Sequence, residues 1–247
     1  MNRRLFWCLL LLLGVCSLAV AQSLPVPKVS LGVETAKGSD DVSSSLQILA
    51  LLTVLSIAPA ILILTTAFTR IVIIFSFVRS AIGAQNIPPN QVMIGLSLFL
   101  TFFVMGPTYK ELNTNALQPL MTKEIKFDEA LERAQKPLRN FMVKNTYEKD
   151  LLLFLNIRGE KPQSREEVDM MSLIPAFIIS ELKTAFIVGF YIFVPFLIID
   201  MIIASGLMSM GMMMLPPTVV SLPAKLLVFV LADGWHMLVQ TILQGYR

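Results

Sequence analysis

Met208, Met210, Met212, Met213 and Met214 fall within twelve residues, GLMSMGMMMLPP at 206–217. Thioethers are soft donors, and the Met208-x-Met210-x-Met212 spacing suits Cu(I) ligation. Nothing in the sequence strengthens such a site. The only histidine is His236, and both cysteines, Cys8 and Cys16, sit close to the N-terminus. Methionine is also unbranched, flexible and polarisable, and repacks around irregular shapes. Gly206 and Gly211 permit a sharp bend and Pro216-Pro217 punctuate it, which makes these four the hinge candidates. The run therefore reads either as filler between two helices or as a compliant apolar closure.

A second set of residues carries charge where charge is expensive. Glu181 and Lys183 interrupt an apolar run from Leu173 to Leu207. A charge at mid-membrane costs about 2.5–3.5 kcal/mol on the mildest scale. At 100° per residue the two point roughly 200° apart, so neither neutralises the other. The helix needs an anionic partner on one side and a cationic partner on the other. A head-to-tail assembly of copies would supply both, which makes Glu181 and Lys183 expected intersubunit contacts. Lys225 joins them; read as part of a first helical turn, it is expected to snorkel to the interface. Asp233 lies eight residues on, too far for direct contact.

Glu181, Asp200 and Asp233 could instead serve a proton relay, as in a secondary transporter. Nineteen residues separate Glu181 from Asp200, about 28 Å along a helix, so they do not form one site. A transporter also predicts inverted repeats, and the sequence shows no internal symmetry. It has no phosphate loop, HExxH or GxSxG. No catalytic, metal or cofactor residue is assigned, and the chain is read as a non-enzyme.

These residues sit in an apolar framework. The chain has 247 residues, 55% hydrophobic and 15% charged, with mean hydropathy +0.71. That is too apolar for an ordinary soluble domain. Residues 1–21 form a signal peptide: Arg3 and Arg4, an apolar core, then Ala19-Val20-Ala21. Both cysteines lie within it, so the expected mature chain has no disulfide, thiolate or cysteine metal site. Without Arg3 and Arg4, 18 basic residues face 17 acidic ones, a net charge of +1 with no nucleic-acid signature.

Residues 22–45 read as a polar linker. Residues 46–107 read as a first helical hairpin, with apolar runs Leu46–Phe68 and Val92–Met105; Arg70 and Arg79 lie in the helical sequence after the first, and Gly106-Pro107 ends the second. Residues 108–170 read as an insert. Thr108–Asp169 holds 11 Lys/Arg and 11 Asp/Glu. Phe127, Leu131, Ala134, Leu138, Phe141 and Met142 recur at helical spacing, and Pro137 should kink or divide that helix. Residues 171–247 read as a second hairpin carrying the methionine bend, with Pro223 in the first turn of its last helix. The fold class is all-α: membrane-associated long helical hairpins with a helical extramembrane insert, as a subunit of an oligomeric pore.

Two tensions remain in a simple four-span reading. Leu46–Ile82 as one helix is roughly 55 Å long, against a bilayer core of roughly 30 Å. Four spans after a removed signal would also place the insert, with its 11 basic residues, outside.

IPAFIISELKTAFIVGF at 174–190, FLIIDMIIASGLMSMGMMMLPP and LPAKLLVFVLADGW closely resemble the FliP family, core subunits of the flagellar type III export gate. The likeness runs from about Leu46 to Gln244. It implies a long helical hairpin fold, assembled in several copies with two other small export-gate subunits of the FliQ and FliR types. It implies a pore in the bacterial inner membrane, at the flagellar basal body, for unfolded flagellar subunits. It also implies that the core sits largely above the bilayer plane, which would ease both tensions. By the same resemblance Met210, Met212, Met213 and Met214, with neighbouring Met208, form the gasket of the pore gate. Virulence secretion systems share these motifs, so an equivalent virulence subunit stands as the alternative. The leader and polar segment favour the flagellar branch.

Overall fold

A computed structural model of the chain describes residues 39–84, 87–212 and 214–246, with side chains from residue 48 onward. The signal peptide, linker residues 22–38 and Met213 lie outside the described residues. The chain divides into two units, Met1–Leu51 and Leu52–Arg247. In the first, residues 39–51 are helical, which corrects the linker reading for 39–45. All geometry below belongs to the second.

Among the described residues every regular element is helical: α1 (Ser39–Leu64), α2 (Phe68–Ile82), α3 (Asn90–Leu112), α4 (Gln118–Met121), α5 (Phe127–Lys144), α6 (Glu148–Arg158), α7 (Met170–Ser209), α8 (Pro217–Leu231) and α9 (Gly234–Gln244). A wide π turn, Asn113–Leu117, joins α3 to α4. Helices α3 through α4 and α7 are each long and apolar enough to cross a membrane; α1 with α2, and α8 with α9, qualify as bent pairs.

The long first helix expected from Leu46 to Ile82 is broken. Its halves bend by 64° at Thr65–Ala67. The threonines stabilise the break. Thr65 Oγ1 donates to the Ile61 carbonyl (2.9 Å) and Thr66 Oγ1 to that of Ile63 (3.1 Å), acceptors that each residue's own amide shares. The fourth apolar run also breaks, by 63°. Asp233 takes a left-handed φ of 49° there, a conformation a helix interior cannot hold. Pro217, not Pro223, occupies the first turn of α8, where proline is tolerated.

Two expected breaks are absent. α3 runs through Gly106-Pro107 to Leu112. α5 runs unbroken through Pro137, whose ring is buried. In both, one lost backbone bond is outweighed by the rest of the helix and its packing. α7 is a single helix of 40 residues, about 60 Å long.

α2 is the centre of the bundle. Ile71, Ile74, Phe75, Val78 and Ile82 recur at three- and four-residue spacing and are all buried. They pack with Met93 and Leu100 of α3, Ala185 and Phe196 of α7, Phe229 of α8, and Leu238 and Ile242 of α9. Serine and threonine inside α3 satisfy themselves: Ser97 Oγ donates to Met93 O and Thr101 Oγ1 to Ser97 O, both at 2.7 Å.

The insert docks on the first half of α7. Met142, Leu151, Leu155 and Val168 pack against Leu173, Ala176 and Phe177. Polar contacts fix the register. The Tyr147 amide donates to Ser180 Oγ (3.0 Å), which donates to Asp150 Oδ2 (2.8 Å). Ser172 Oγ donates to Glu160 (2.9 Å). The face expected to be buried on α5 is only partly so, since Phe127 and Leu131 are exposed.

Candidate functional site

Glu181 is fully buried in α7, facing α2. Arg70, itself buried, grips it with two side-chain hydrogen bonds: Nε to Oε2 at 2.9 Å and a terminal nitrogen to Oε1. The other terminal nitrogen donates to the Gly245 carbonyl at 3.0 Å. Tyr246 closes the group. Its hydroxyl lies 2.7 Å from Glu181 Oε2 and 3.3 Å from the Ala67 carbonyl, and its ring covers the guanidinium at 4.0 Å. A buried charge pair persists only when paired and hydrogen-bonded in this way.

Glu181, expected to need a cation from another copy, finds it in its own chain: the break at Thr65–Ala67 starts α2 at Phe68 and puts Arg70 in its first turn. Lys183 does point away from Glu181, as 100° per residue requires. Its ammonium lies 4.7 Å over the Tyr147 ring.

Lys225 does not snorkel to an interface. It is 4% exposed and sits inside α8. Its ammonium donates to Asp200 Oδ2 (2.5 Å) and to the Ala81 carbonyl (3.0 Å). Ser221 Oγ donates to the other Asp200 oxygen at 2.5 Å. Ala81 is in the last turn of α2, where carbonyls lack intrahelical partners and the helix dipole is negative. Gly83, at φ 83°, ends α2 beside it. One lysine therefore ties the end of α2 to both α7 and α8.

Met208 lies in the last turn of α7, and Met210, Met212 and Met214 lie in the turn between α7 and α8. Met208, Met210, Met212 and Met214 are 61%, 75%, 42% and 100% exposed. Gly211 makes the turn, with φ 76°. Gly206 is not at the bend: it lies in the last turns of α7 and accepts a bond from the Met210 amide. Pro216 and Pro217 lead into α8. From Met201 to Ala224 there is no charged residue, so this end of the hairpin offers an uncharged, pliable thioether surface.

Sequence reasoning missed Arg70, Asp200, Ser221 and Tyr246 as partners. His236 is exposed on α9.

The FliP family profile matches residues 51–242. A Bacillus subtilis (strain 168) protein named Flagellar biosynthetic protein FliP is 57% identical over 84% of this chain and 94% of its own. A protein of the same name from Rhizobium meliloti (strain 1021) is 44% identical over 95% and 96%. One from Aquifex aeolicus (strain VF5) is 44% identical over 87% and 91%.

Proposed function

Because this chain belongs to the FliP family, we propose that it is a core subunit of the flagellar type III protein-export apparatus in the bacterial inner membrane, at the basal body. In this reading further copies of the chain assemble with two small partners of the FliQ and FliR types. Together they surround a path for unfolded flagellar subunits. The methionine bend seals that path when no substrate fills it.

One observation carries the seal: four methionines presented to the outside at the uncharged end of a long hairpin. Apolar constrictions block ions by dewetting. Flexible thioether side chains close on each other and yield to a passing chain of any sequence. The charges of the bundle take no part in transport; they lock the helices that carry the bend. The protein acts as conduit, and the energy for export comes from elsewhere. The flagellar names of the relatives favour this branch over the virulence one.

The test is replacement of Met212, Met213 and Met214 by alanine in the native host, with ion leakage and flagellar export recorded together. Raised leakage with export retained is the expected result. Tight membranes with normal export would reduce the methionines to helix packing.

A further inference from the structure

Gly245 and Tyr246 follow α9. They complete the most deeply buried ion pair among the described residues. The Gly245 carbonyl accepts from Arg70 at 3.0 Å, the Tyr246 ring lies 4.0 Å over the same guanidinium, and its hydroxyl binds Glu181 and the Ala67 carbonyl. The ring also meets another aromatic. Phe141 of the insert stacks on Tyr246, with centroids 6.0 Å apart and planes at 19°, and Phe141 meets Phe177 of α7 edge-on.

We propose that Gly245-Tyr246, just past α9, is a latch that shuts the Arg70–Glu181 pair away from solvent and fastens the charged insert to the bundle. The argument rests on what an unlatched chain would lack. Arg70 has five donor hydrogens and Glu181 can satisfy only part of that fork. Without the Gly245 carbonyl a buried guanidinium donor is unpaired, and leaving a buried charged group short of a partner is costly. Without the ring, the guanidinium face opens toward the insert, and Phe141 loses the surface it stacks on. The latch thus joins three parts of the sequence: the start of α2, the last turn of α5 and the segment after α9. A chain that stops short of Gly245 holds its long helices with the central charge pair uncovered. The latch does not depend on the export reading, and its test reads only stability.

The experiment is thermal melting of the purified full-length protein in detergent. Tyr246→Ala is expected to lower Tm by on the order of 5 °C. Tyr246→Phe keeps the ring over Arg70 and its stack on Phe141 while losing only the hydroxyl, so it should lose less than half as much. A chain ending at Gln244 should lose more than Tyr246→Ala, because the Gly245 carbonyl goes too. The decisive comparison repeats Tyr246→Ala in a Glu181→Gln background, where the pair to be covered no longer exists. The drop there should shrink to less than half. An equal drop in both backgrounds would mean that Tyr246 only fills space, and the latch would be wrong. A Tyr246→Ala protein melting within about 1 °C of the parent, or a Phe variant as damaged as the Ala variant, would also overturn it.

Discussion

Lys225 of α8 and Asp200 of α7 form a 2.5 Å ion pair whose ammonium also caps the Ala81 carbonyl of α2. The pair is unequal in burial: the lysine side chain is 5% exposed and the aspartate 25%. Removing the lysine strands the carboxylate with Ser221 alone and leaves the α2 carbonyl unpaired. Breaking a buried pair by removing one partner costs about 3–5 kcal/mol. Lys225→Met is therefore expected to lower the melting temperature by on the order of 10 °C for a chain of this length. Lys225→Met with Asp200→Asn should recover part of the loss, because no lone charge remains. A single variant that melts with the parent would show that the pair does not hold the hairpin.

Arg70 should not be replaceable by lysine. Lysine keeps the charge, but it cannot reach both Glu181 oxygens and the Gly245 carbonyl from one planar fork. Each lost hydrogen bond to a charged group is worth about 1.5–3 kcal/mol. Arg70→Lys is expected to be clearly destabilised, and Arg70→Met with Glu181→Met to be milder than Arg70→Met alone. Protease resistance of the detergent-solubilised protein reads both comparisons. An Arg70→Lys protein with unchanged resistance would contradict the bidentate geometry.

How much of this was legible in the sequence follows from where the charges fall. Helix class and the long apolar helices follow from hydropathy and charge density, which are properties of single segments. Pairing is not. Within residues 46–107 and 170–244 there are three acids, Glu181, Asp200 and Asp233, and four cations, Arg70, Arg79, Lys183 and Lys225. That short inventory could have suggested pairing inside the chain. Choosing Arg70 for Glu181 and Asp200 for Lys225 required knowing that α2 lies along α7 and α8. The breaks at Thr65–Ala67 and at Asp233 were hidden for a different reason. Threonine and aspartate are ordinary helix residues by propensity. They became breaks through hydroxyl back-bonding and a left-handed φ, while the prolines at 107 and 137, the stronger local signals, were overridden by the helices around them.

Glycine substitutions should separate close packing from empty space along one helix. A Cβ at Gly189 would come within 2.5 Å of the Phe77 ring, whereas one at Gly206 meets nothing within 4 Å. Overpacking a filled site costs about 1–3 kcal/mol. Alanine in place of glycine in an open helical position gains up to about 1 kcal/mol. Gly189→Ala should therefore lower the melting temperature while Gly206→Ala leaves it equal or raises it. Gly234→Ala, whose Cβ would run into the Phe229 ring, should behave like Gly189→Ala. Equal effects at 189 and 206 would mean that Phe77 moves aside freely.

The methionine bend offers a prediction in which stability and function come apart. Met214 is fully exposed and Met210 is 75% exposed, so their side chains have little packing to lose within the chain. Substitution at such positions usually changes stability by no more than about 0.5 kcal/mol. Met210, Met212 and Met214 changed together to leucine, alanine or aspartate should thus give proteins that melt alike. A seal should still rank them. Leucine keeps the apolar volume but is branched and stiffer, so the membrane should stay tight while export slows. Alanine removes volume and should leak. Aspartate removes the dewetting barrier as well and should leak most. Ion conductance measured beside export rate in the same cells gives the order. Leucine and aspartate variants with equal conductance would show that these side chains do not line the barrier, whatever their effect on export.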